Sequence, residues 1–154
     1  MCIRDRANLF RADLTGANLS GAILTVADLT GANLTETILD SSRPCPEATA
    51  ALRAAGMTVR NGTVYAYRTA TSQHVGTTDY TTPGEYVAPV FSMDPTTDCH
   101  PGLYFASLEW LKDAYPDKPL VGISAAVSDV VATTEGKFRA RRLISHGLLM
   151  VVPR

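Results

Sequence analysis

The sequence predicts a mainly β protein in two parts, a stack of short β-coils followed by a small α+β domain. A five-residue repeat over residues 7–41 indicates the stack. Pro44 and Pro46, one residue apart, end the repeat because proline donates no backbone hydrogen bond. Beyond them, Asn61-Gly62 lies between two segments rich in strand-forming residues and predicts a hairpin. We expect residues 42–56 to be a linker with a short helix and residues 57–154 to be the second domain.

The repeat has a leucine at every fifth position and a small residue two positions before it. The leucines are Leu9, Leu14, Leu19, Leu24, Leu29, Leu34 and Leu39, and the alanines after the first are Ala12, Ala17, Ala22, Ala27 and Ala32. On an α-helix, five residues would rotate successive leucines by about 140°, and on a flat strand they would alternate between faces. The chain must therefore turn a corner in each repeat, so that both positions point inward. We expect Leu19 and Leu29 to be fully buried.

Turn residues and outward polar residues occupy the other positions of the repeat. Three pairs, Thr15-Gly16, Ser20-Gly21 and Thr30-Gly31, have the residue types that favour turns. Asn or Asp at positions 8, 13, 18, 28 and 33 lies between the two inward positions and is expected to face water, with local backbone hydrogen bonds. Charge mimicry of DNA is the alternative, but it requires a longer and more acidic stack.

This Ala-(Asp/Asn)-Leu-x-x pattern resembles the pentapeptide-repeat family, and the resemblance covers residues 7–41. It implies a short right-handed quadrilateral β-helix with four repeats in each coil. Seven repeats give fewer than two coils, and a short solenoid is stable only when its ends are covered. We therefore expect the following domain to cap the C-terminal end of the stack.

Local signals in the second part predict an α+β arrangement. Helices are expected over residues 47–55 and 108–115, the latter with Ser107 as N-cap and Pro116 as its stop. Strands are expected over residues 57–60, 63–68, 85–91, 103–106, 120–126 and 138–144. Residues 69–84 and the region around Glu135-Gly136 are predicted loops.

Three segments, 99–107, 129–131 and 137–142, together resemble an uncharacterised domain of phage-related and bacterial proteins that often follows pentapeptide repeats. The resemblance covers about residues 60–145. It implies no established activity.

The segment Gly102-Leu-Tyr-Phe-Ala-Ser107 also resembles the second-strand motif of ADP-ribosyltransferases of the poly-ADP-ribose polymerase type. That resemblance implies that Tyr104 stacks on nicotinamide and that Arg68 anchors NAD. The family's His-Gly-Thr motif is missing, and the nearest candidate for its catalytic carboxylate, Glu135, falls in a loop. The other interpretation of Tyr104 is a half-buried strand tyrosine.

Two further groups of residues could carry chemistry. Cys99-His100 could be a metal ligand pair or an activated thiol, but its spacing is more typical of a turn before Pro101-Gly102. Lys137, Arg139 and Arg141 alternate with apolar residues, which predicts a strand with one basic face. We expect that face to be solvated or ion-paired; binding of an anion or of a nucleic-acid backbone is the alternative.

Composition excludes few function classes. The formal net charge is −1, so no strong electrostatic partner is implied. The cysteines at 2, 45 and 99 are odd in number, which fits a reducing compartment and a cytoplasmic location. Residues 1–6 resemble translated sequencing-adapter bases, so we expect a non-native leader there and a fragment whose true N-terminus is missing.

The leading interpretation is a non-enzymatic scaffold or protein-interaction module, with no metal or cofactor. The expected partner is a protein rather than nucleic acid or a membrane. The alternatives are a divergent ADP-ribosyltransferase-like NAD-binding domain and a nucleic-acid-associated phage accessory protein.

Overall fold

A computed structural model describes residues 7–19, 22, 24, 27–39, 47–72, 78–96 and 100–149 of the protein. The described part of the chain is mainly β, as the sequence predicts. Within these ranges the α-helices are α1 (Thr49–Ala54) and α2 (Leu108–Ala114), and Val127–Asp129 form one turn of 3-10 helix. The strands are β1 (Thr58–Arg60), β2 (Thr63–Thr69), β3 (Gly84–Val87), β4 (Leu103–Phe105), β5 (Leu120–Ala126), β6 (Val130–Ala132), β7 (Phe138–Ala140) and β8 (Arg142–Leu148). The expected leader, residues 1–6, lies outside the described residues, as do residues 40–46.

Two segments of the repeat lie side by side and run in the same direction. Asn8 forms a parallel β-bridge with Asp28, and Asp13 forms one with Asn33. The backbone N–H of Leu9 donates to the Asp28 carbonyl at 2.8 Å. The bridged residues are twenty positions apart in both pairs, so each segment lies beside the segment four repeats later.

The backbone turns at the fifth position of the repeat. Gly16 and Gly31 have φ values of 67° and 69°, in the left-handed region where glycine is favoured. Arg11 and Glu36 occupy the same position with φ values of 55° and 61° although they are not glycines. The predicted Thr-Gly turns are therefore confirmed at Gly16 and Gly31, whereas Gly21 lies outside the described residues.

The repeat leucines and alanines turn toward a common interior. Leu24, Leu29 and Leu39 are buried, and around them pack the half-buried Leu9, Leu14, Leu19, Leu34, Ala22, Ala27 and Ala32. Ala12 and Ala17 are also half-buried. Leu29 is buried, with 6% of its surface exposed, whereas Leu19 is only half-buried, so the expected full burial of Leu19 is wrong.

The outward Asn and Asp residues bond to their own backbone. The side-chain oxygens of Asn8, Asp13, Asp28 and Asn33 accept the backbone N–H groups of Phe10, Thr15, Thr30 and Thr35 at 3.0 to 3.2 Å. The Thr15 hydroxyl, together with its N–H, lowers the pKa of Asp13, and Thr30 does the same for Asp28. This confirms the predicted local hydrogen bonding, which stabilises the backbone at the corner of the repeat.

The predicted hairpin at Asn61-Gly62 is confirmed. Asn61 and Gly62 have φ values of 48° and 71°, which is the paired left-handed geometry of a type I′ turn. The turn joins β1 to β2, and the five-stranded sheet continues in the order β1-β2-β5-β8-β3 with antiparallel neighbours.

A second, three-stranded sheet has the order β4-β7-β6. The single strand predicted over residues 138–144 is wrong, because the chain bends at Arg141 and β7 and β8 join different sheets. The backbone N–H of Arg141 donates to the Asp129 carbonyl at 2.9 Å, and the Arg141 carbonyl accepts from Ala88 at 2.9 Å. Residues 88–91, which were predicted to continue β3, form no strand, and Pro89 lacks the N–H that a ladder requires.

The helices follow their local signals. The Ser107 hydroxyl accepts the backbone N–H of Trp110 at 3.3 Å and caps α2, which ends before Pro116 as predicted. Leu111 is buried against the large sheet, with Leu108 and Tyr115 beside it. Between the two sheets, the rings of Phe105 and Phe138 stack at a centroid distance of 5.8 Å.

Candidate functional site

A buried polar cluster lies where residues 92–100 meet the repeat. It consists of Ser92, Asp94 and His100 together with the backbone carbonyl of Ala22, and we call it the junction network. Ser92 and His100 are 0% and 2% exposed, and Asp94 is 5% exposed. Because buried polar groups require partners, the hydrogen bonds of this cluster define its role.

The hydrogen bonds run in one chain. The Asp94 backbone N–H donates to the Ser92 hydroxyl oxygen at 3.2 Å, and that hydroxyl lies 2.7 Å from His100 Nδ1. His100 Nε2 contacts the Ala22 carbonyl of the repeat. Since a carbonyl can only accept, Nε2 carries the proton, and Nδ1 of the neutral ring accepts from Ser92. Each of these hydrogen-bonding groups of Ser92, Asp94, His100 and Ala22 then has a partner.

The surroundings keep His100 neutral. Burial is the main cause that lowers its pKa, and Arg139 lowers it further. The hydrogen bond to Ala22 and the Asp94 carboxylate act in the opposite direction. The carboxylate lies 3.9 Å from Nδ1, on the same side of the ring as Ser92.

This geometry differs from that of a hydrolytic Ser-His-Asp triad. A triad places the serine and the carboxylate on opposite ring nitrogens, so that the ring takes a proton from one and is held by the other. Here Ser92 and Asp94 both approach Nδ1 of His100, and Nε2 is occupied by Ala22. With Ser92 fully buried, no substrate can reach its hydroxyl. The network joins two parts of the chain.

Other contacts extend the junction. The backbone N–H of Met93 donates to the Ile38 carbonyl at 2.8 Å, and Val90 packs against the repeat leucines. Beside these contacts lies a groove of about 480 Å³, between the last described repeats and the chain that follows β3. Its lining includes Leu34 and Leu39 from the repeat and Arg142 from β8.

Arg139 supports the loop that carries the network. It is fully buried at the centre of the small sheet, and its Nη2 donates to the Asp94 carbonyl. Its guanidinium lies 5.7 Å from the centroid of the Tyr104 ring. The Tyr104 hydroxyl donates to the His100 carbonyl at 2.7 Å, so β4 and β7 both hold the network.

Tyr104 and Arg68, the residues predicted to bind NAD, have different surroundings. Tyr104 is half-buried beside His100 and Arg139 in the small sheet. Arg68 is buried in the large sheet, with its guanidinium 3.4 Å from the centroid of the Tyr80 ring. Burial lowers the pKa of Arg68, and Tyr80 acts against this. The described contacts give both side chains structural partners.

The basic strand differs from its prediction. The predicted solvated face is wrong for Arg139, whose side chain is buried. Its guanidinium can be buried because it donates a hydrogen bond to the carbonyl of Asp94, a loop residue distant in sequence. The expected ion pairing is seen at Lys137, whose Nζ lies 3.1 Å from Glu135 in an exposed turn. Arg141 lies 3.9 Å from Asp129. Anion binding by Lys137, Arg139 and Arg141 stays a prediction.

Sequence reasoning missed the role of Ser92, Asp94 and His100. The sequence shows only a serine, an aspartate and a histidine within nine residues, in a segment without regular structure. Their partner is a backbone carbonyl 78 residues away from His100, which leaves no side-chain signal.

The structure also bears on metals and membranes within the described ranges. No group of three or more His, Cys, Asp or Glu residues in them is placed to hold a metal ion. Cys99 lies outside those ranges, so the predicted Cys99-His100 turn can be followed only from His100 onward. No helix in the described part of the chain is long and apolar enough to cross a membrane.

Comparison with known proteins identifies one segment. Residues 6–43 match the family of pentapeptide repeats, with eight copies of the repeat, which covers 38 of the 154 residues. The match confirms the predicted repeat and extends it slightly at both ends. No curated protein matches the chain, and no solved structure does.

Proposed function

We propose that the protein is a non-enzymatic scaffold or protein-interaction module, in which a repeat stack carries a small α+β domain. Pentapeptide repeats are generally protein-interaction or scaffold modules. The junction network is the observation that supports this function. Its His100 holds the repeat through the Ala22 carbonyl, in a closed interior rather than in an open cleft. The partner that fits such a module is another protein.

We further propose that the repeat is a right-handed quadrilateral β-helix. The twenty-residue spacing of the two parallel bridges supports four repeats in each coil. The left-handed φ values at Arg11, Gly16, Gly31 and Glu36 support a corner in every repeat. In this proposal residues 42–56 are the linker and residues 57–154 the carried domain, whose kinship with the phage-related domain rests on the sequence motifs alone.

The rival function is an ADP-ribosyltransferase. That chemistry needs a ring stacked on nicotinamide, a group that holds the dinucleotide, and a carboxylate near the charge that develops on the ribose. A misplacement of about 1 Å can cost about a hundredfold in rate. Arg68 lies against Tyr80 in one sheet, whereas Glu135 is 63% exposed and paired with Lys137 in the turn before β7.

Nicotinamide release from NAD by the full chain separates the two functions. We expect no turnover, and no rise in the melting midpoint with millimolar NAD or nicotinamide, because a ligand that binds only the native state must raise that midpoint. Tyr104→Phe keeps the ring and Tyr104→Ala removes it. Turnover that survives in Tyr104→Phe and disappears in Tyr104→Ala, with both variants folded, would establish the enzyme and overturn the scaffold.

A further inference from the structure

The hairpin turn between β1 and β2 contains an asparagine followed by a glycine. Asn61 and Gly62 are both exposed, and their φ values of 48° and 71° make the type I′ turn. In the described part of the chain, the Asn61 carboxamide has no hydrogen-bond partner. No contact therefore fixes the side-chain carbonyl of Asn61 in place.

The other three asparagines of the chain have different surroundings. Asn8, Asn18 and Asn33 are each followed by a leucine. The side-chain oxygens of Asn8 and Asn33 also accept backbone N–H groups two residues later, at 3.0 and 3.2 Å. A leucine side chain shields the backbone nitrogen that follows the asparagine, whereas glycine has no side chain to do so. Asn61 is therefore the asparagine that its own backbone can attack most easily.

We propose that Asn61 is a site of spontaneous modification, at which the asparagine is converted to aspartate and isoaspartate. The backbone nitrogen of Gly62 attacks the side-chain carbonyl carbon of Asn61 and closes a five-membered succinimide ring. The bond from that carbon to the side-chain nitrogen breaks, and the Gly62 amide proton passes through water to this nitrogen, which leaves as ammonia. Water then opens the ring at either of its two carbonyl carbons. One opening gives aspartate, and the other gives isoaspartate, in which the backbone runs through the side chain.

The folded turn holds the two reacting atoms apart. In the left-handed conformation ψ is about +47°, so the Gly62 nitrogen lies on the opposite side of the Cα–C bond from the Asn61 Cβ. Ring closure requires that nitrogen on the same side as Cβ. The backbone must therefore rotate out of the type I′ geometry, and the reaction proceeds through opening of the turn.

The position of the turn favours such opening. Strand β1 has three residues and lies at the edge of the five-stranded sheet, next to β2. Opening breaks the pairing of Arg60 with Thr63 and the 2.8 Å hydrogen bond from the Val127 backbone N–H to the Gly62 carbonyl. Short edge elements open at a smaller free-energy cost than unfolding of the whole protein. We therefore expect the folded protein to react, more slowly than the unfolded chain.

The two products differ in their effect on the hairpin. Aspartate tolerates the left-handed conformation as asparagine does, and it adds a negative charge next to Arg60. Isoaspartate adds a methylene group to the backbone, so a two-residue turn can no longer join Arg60 to Thr63. The isoaspartate form should therefore lose the register of β1 on β2 and the hydrogen bond between Val127 and Gly62.

Peptide mapping of the full chain by mass spectrometry, after prolonged incubation at mildly alkaline pH, tests the proposal. At Asn61 we expect two products with the mass of aspartate that separate by chromatography. They should form roughly tenfold faster than products at Asn8, Asn18 and Asn33, because Asn61 alone precedes a glycine. The chain unfolded in urea should react at Asn61 several times faster than the folded protein. No conversion at Asn61, equal conversion at all the asparagines, or equal rates in the folded and unfolded chain would overturn the proposal.

Asn61→Asp separates the added charge from the change in the backbone. This variant has the charge of the modified protein and an ordinary backbone, so its melting midpoint should stay close to that of the wild type, as for other exposed substitutions. The purified isoaspartate form should melt several degrees lower, and its Val127 N–H should exchange with deuterium faster. An isoaspartate form that matches Asn61→Asp in both measurements would contradict the proposed effect on the turn. The scaffold function is tested separately by the NAD assay.

Discussion

At the scale of single residues, the corners of the repeat pair a glycine with a long side chain. A Cβ on Gly31 would lie 3.2 Å from the Arg11 side chain, and one on Gly16 would lie 3.9 Å from that of Glu36. The two members of each pair are twenty residues apart, at the same position of repeats that lie side by side. Arg11 and Glu36 therefore tolerate a left-handed backbone at positions where the adjoining glycine leaves room.

Glu36→Gly should stabilise the protein. A left-handed φ costs a non-glycine residue about 1 kcal/mol, and part of this gain is offset by the greater freedom of glycine in the unfolded chain. We expect an increase of roughly 0.5 kcal/mol in the free energy of unfolding, measured with urea. Glu36→Ala removes the same carboxylate but keeps the Cβ. A gain of equal size in Glu36→Ala would show that charge, and not backbone strain, is responsible.

At the scale of elements, local chemistry predicts what short segments do, and distant contacts decide the rest. The Asn61-Gly62 turn and the Ser107 cap are visible in the sequence because each acts within four residues. The break between β7 and β8 at Arg141 is not visible in the sequence, because the backbone of Arg141 is hydrogen-bonded to the distant residues Asp129 and Ala88. The burial of Arg139 depends in the same way on a carbonyl 45 residues away.

Gly102 controls how β4 approaches β7. A Cβ at this position would lie 2.6 Å from Cδ of the buried Arg139 and 3.3 Å from the Phe91 ring. Gly102→Ala should therefore displace Arg139 and destabilise the protein by about 2 to 3 kcal/mol, as other overpacked sites do. The melting midpoint measures the effect.

Gly84→Ala is the matched control for that substitution. Gly84 has a φ of 156°, close to the 147° of Gly102, but a Cβ there would meet no atom within 4 Å. Backbone strain is thus similar in the two variants and only the steric clash differs. Equal losses in both would contradict packing against Arg139 as the cause.

At the scale of the whole molecule, the junction network makes stability depend on pH. His100 has its pKa lowered in the folded protein, mainly by burial, and Asp94 and Arg139 are the charged groups that face it. The unfolded chain, where the histidine pKa is about 6.5, then binds more protons than the folded one. The contribution of neutral His100 to the free energy of unfolding should be full above pH 6.5 and should be lost as the pH drops below that value.

The melting midpoint should therefore decrease between pH 7.5 and 5.5. His100→Gln keeps a donor for Ala22 but cannot titrate, so its midpoint should change less over this range. Among the described residues, four carboxylates have a lowered pKa, Asp13, Asp28, Glu47 and Asp79, and they lose their contribution only near pH 4 and below. An equal slope in His100→Gln and the wild type would exclude His100 as the titrating group.

The position of the junction network also determines where further repeats can be added to the stack. Met93 and His100 hold the stack at Ile38 and at Ala22, so the number of residues between those two points is fixed. One extra repeat inserted there would carry Ile38 a quarter of the way around a twenty-residue circuit and separate the two anchors. Repeats added before Ala22 would lengthen the stack at its remote end and leave both anchors in place. Gene duplication can therefore add repeats before Ala22 but not between Ala22 and Ile38.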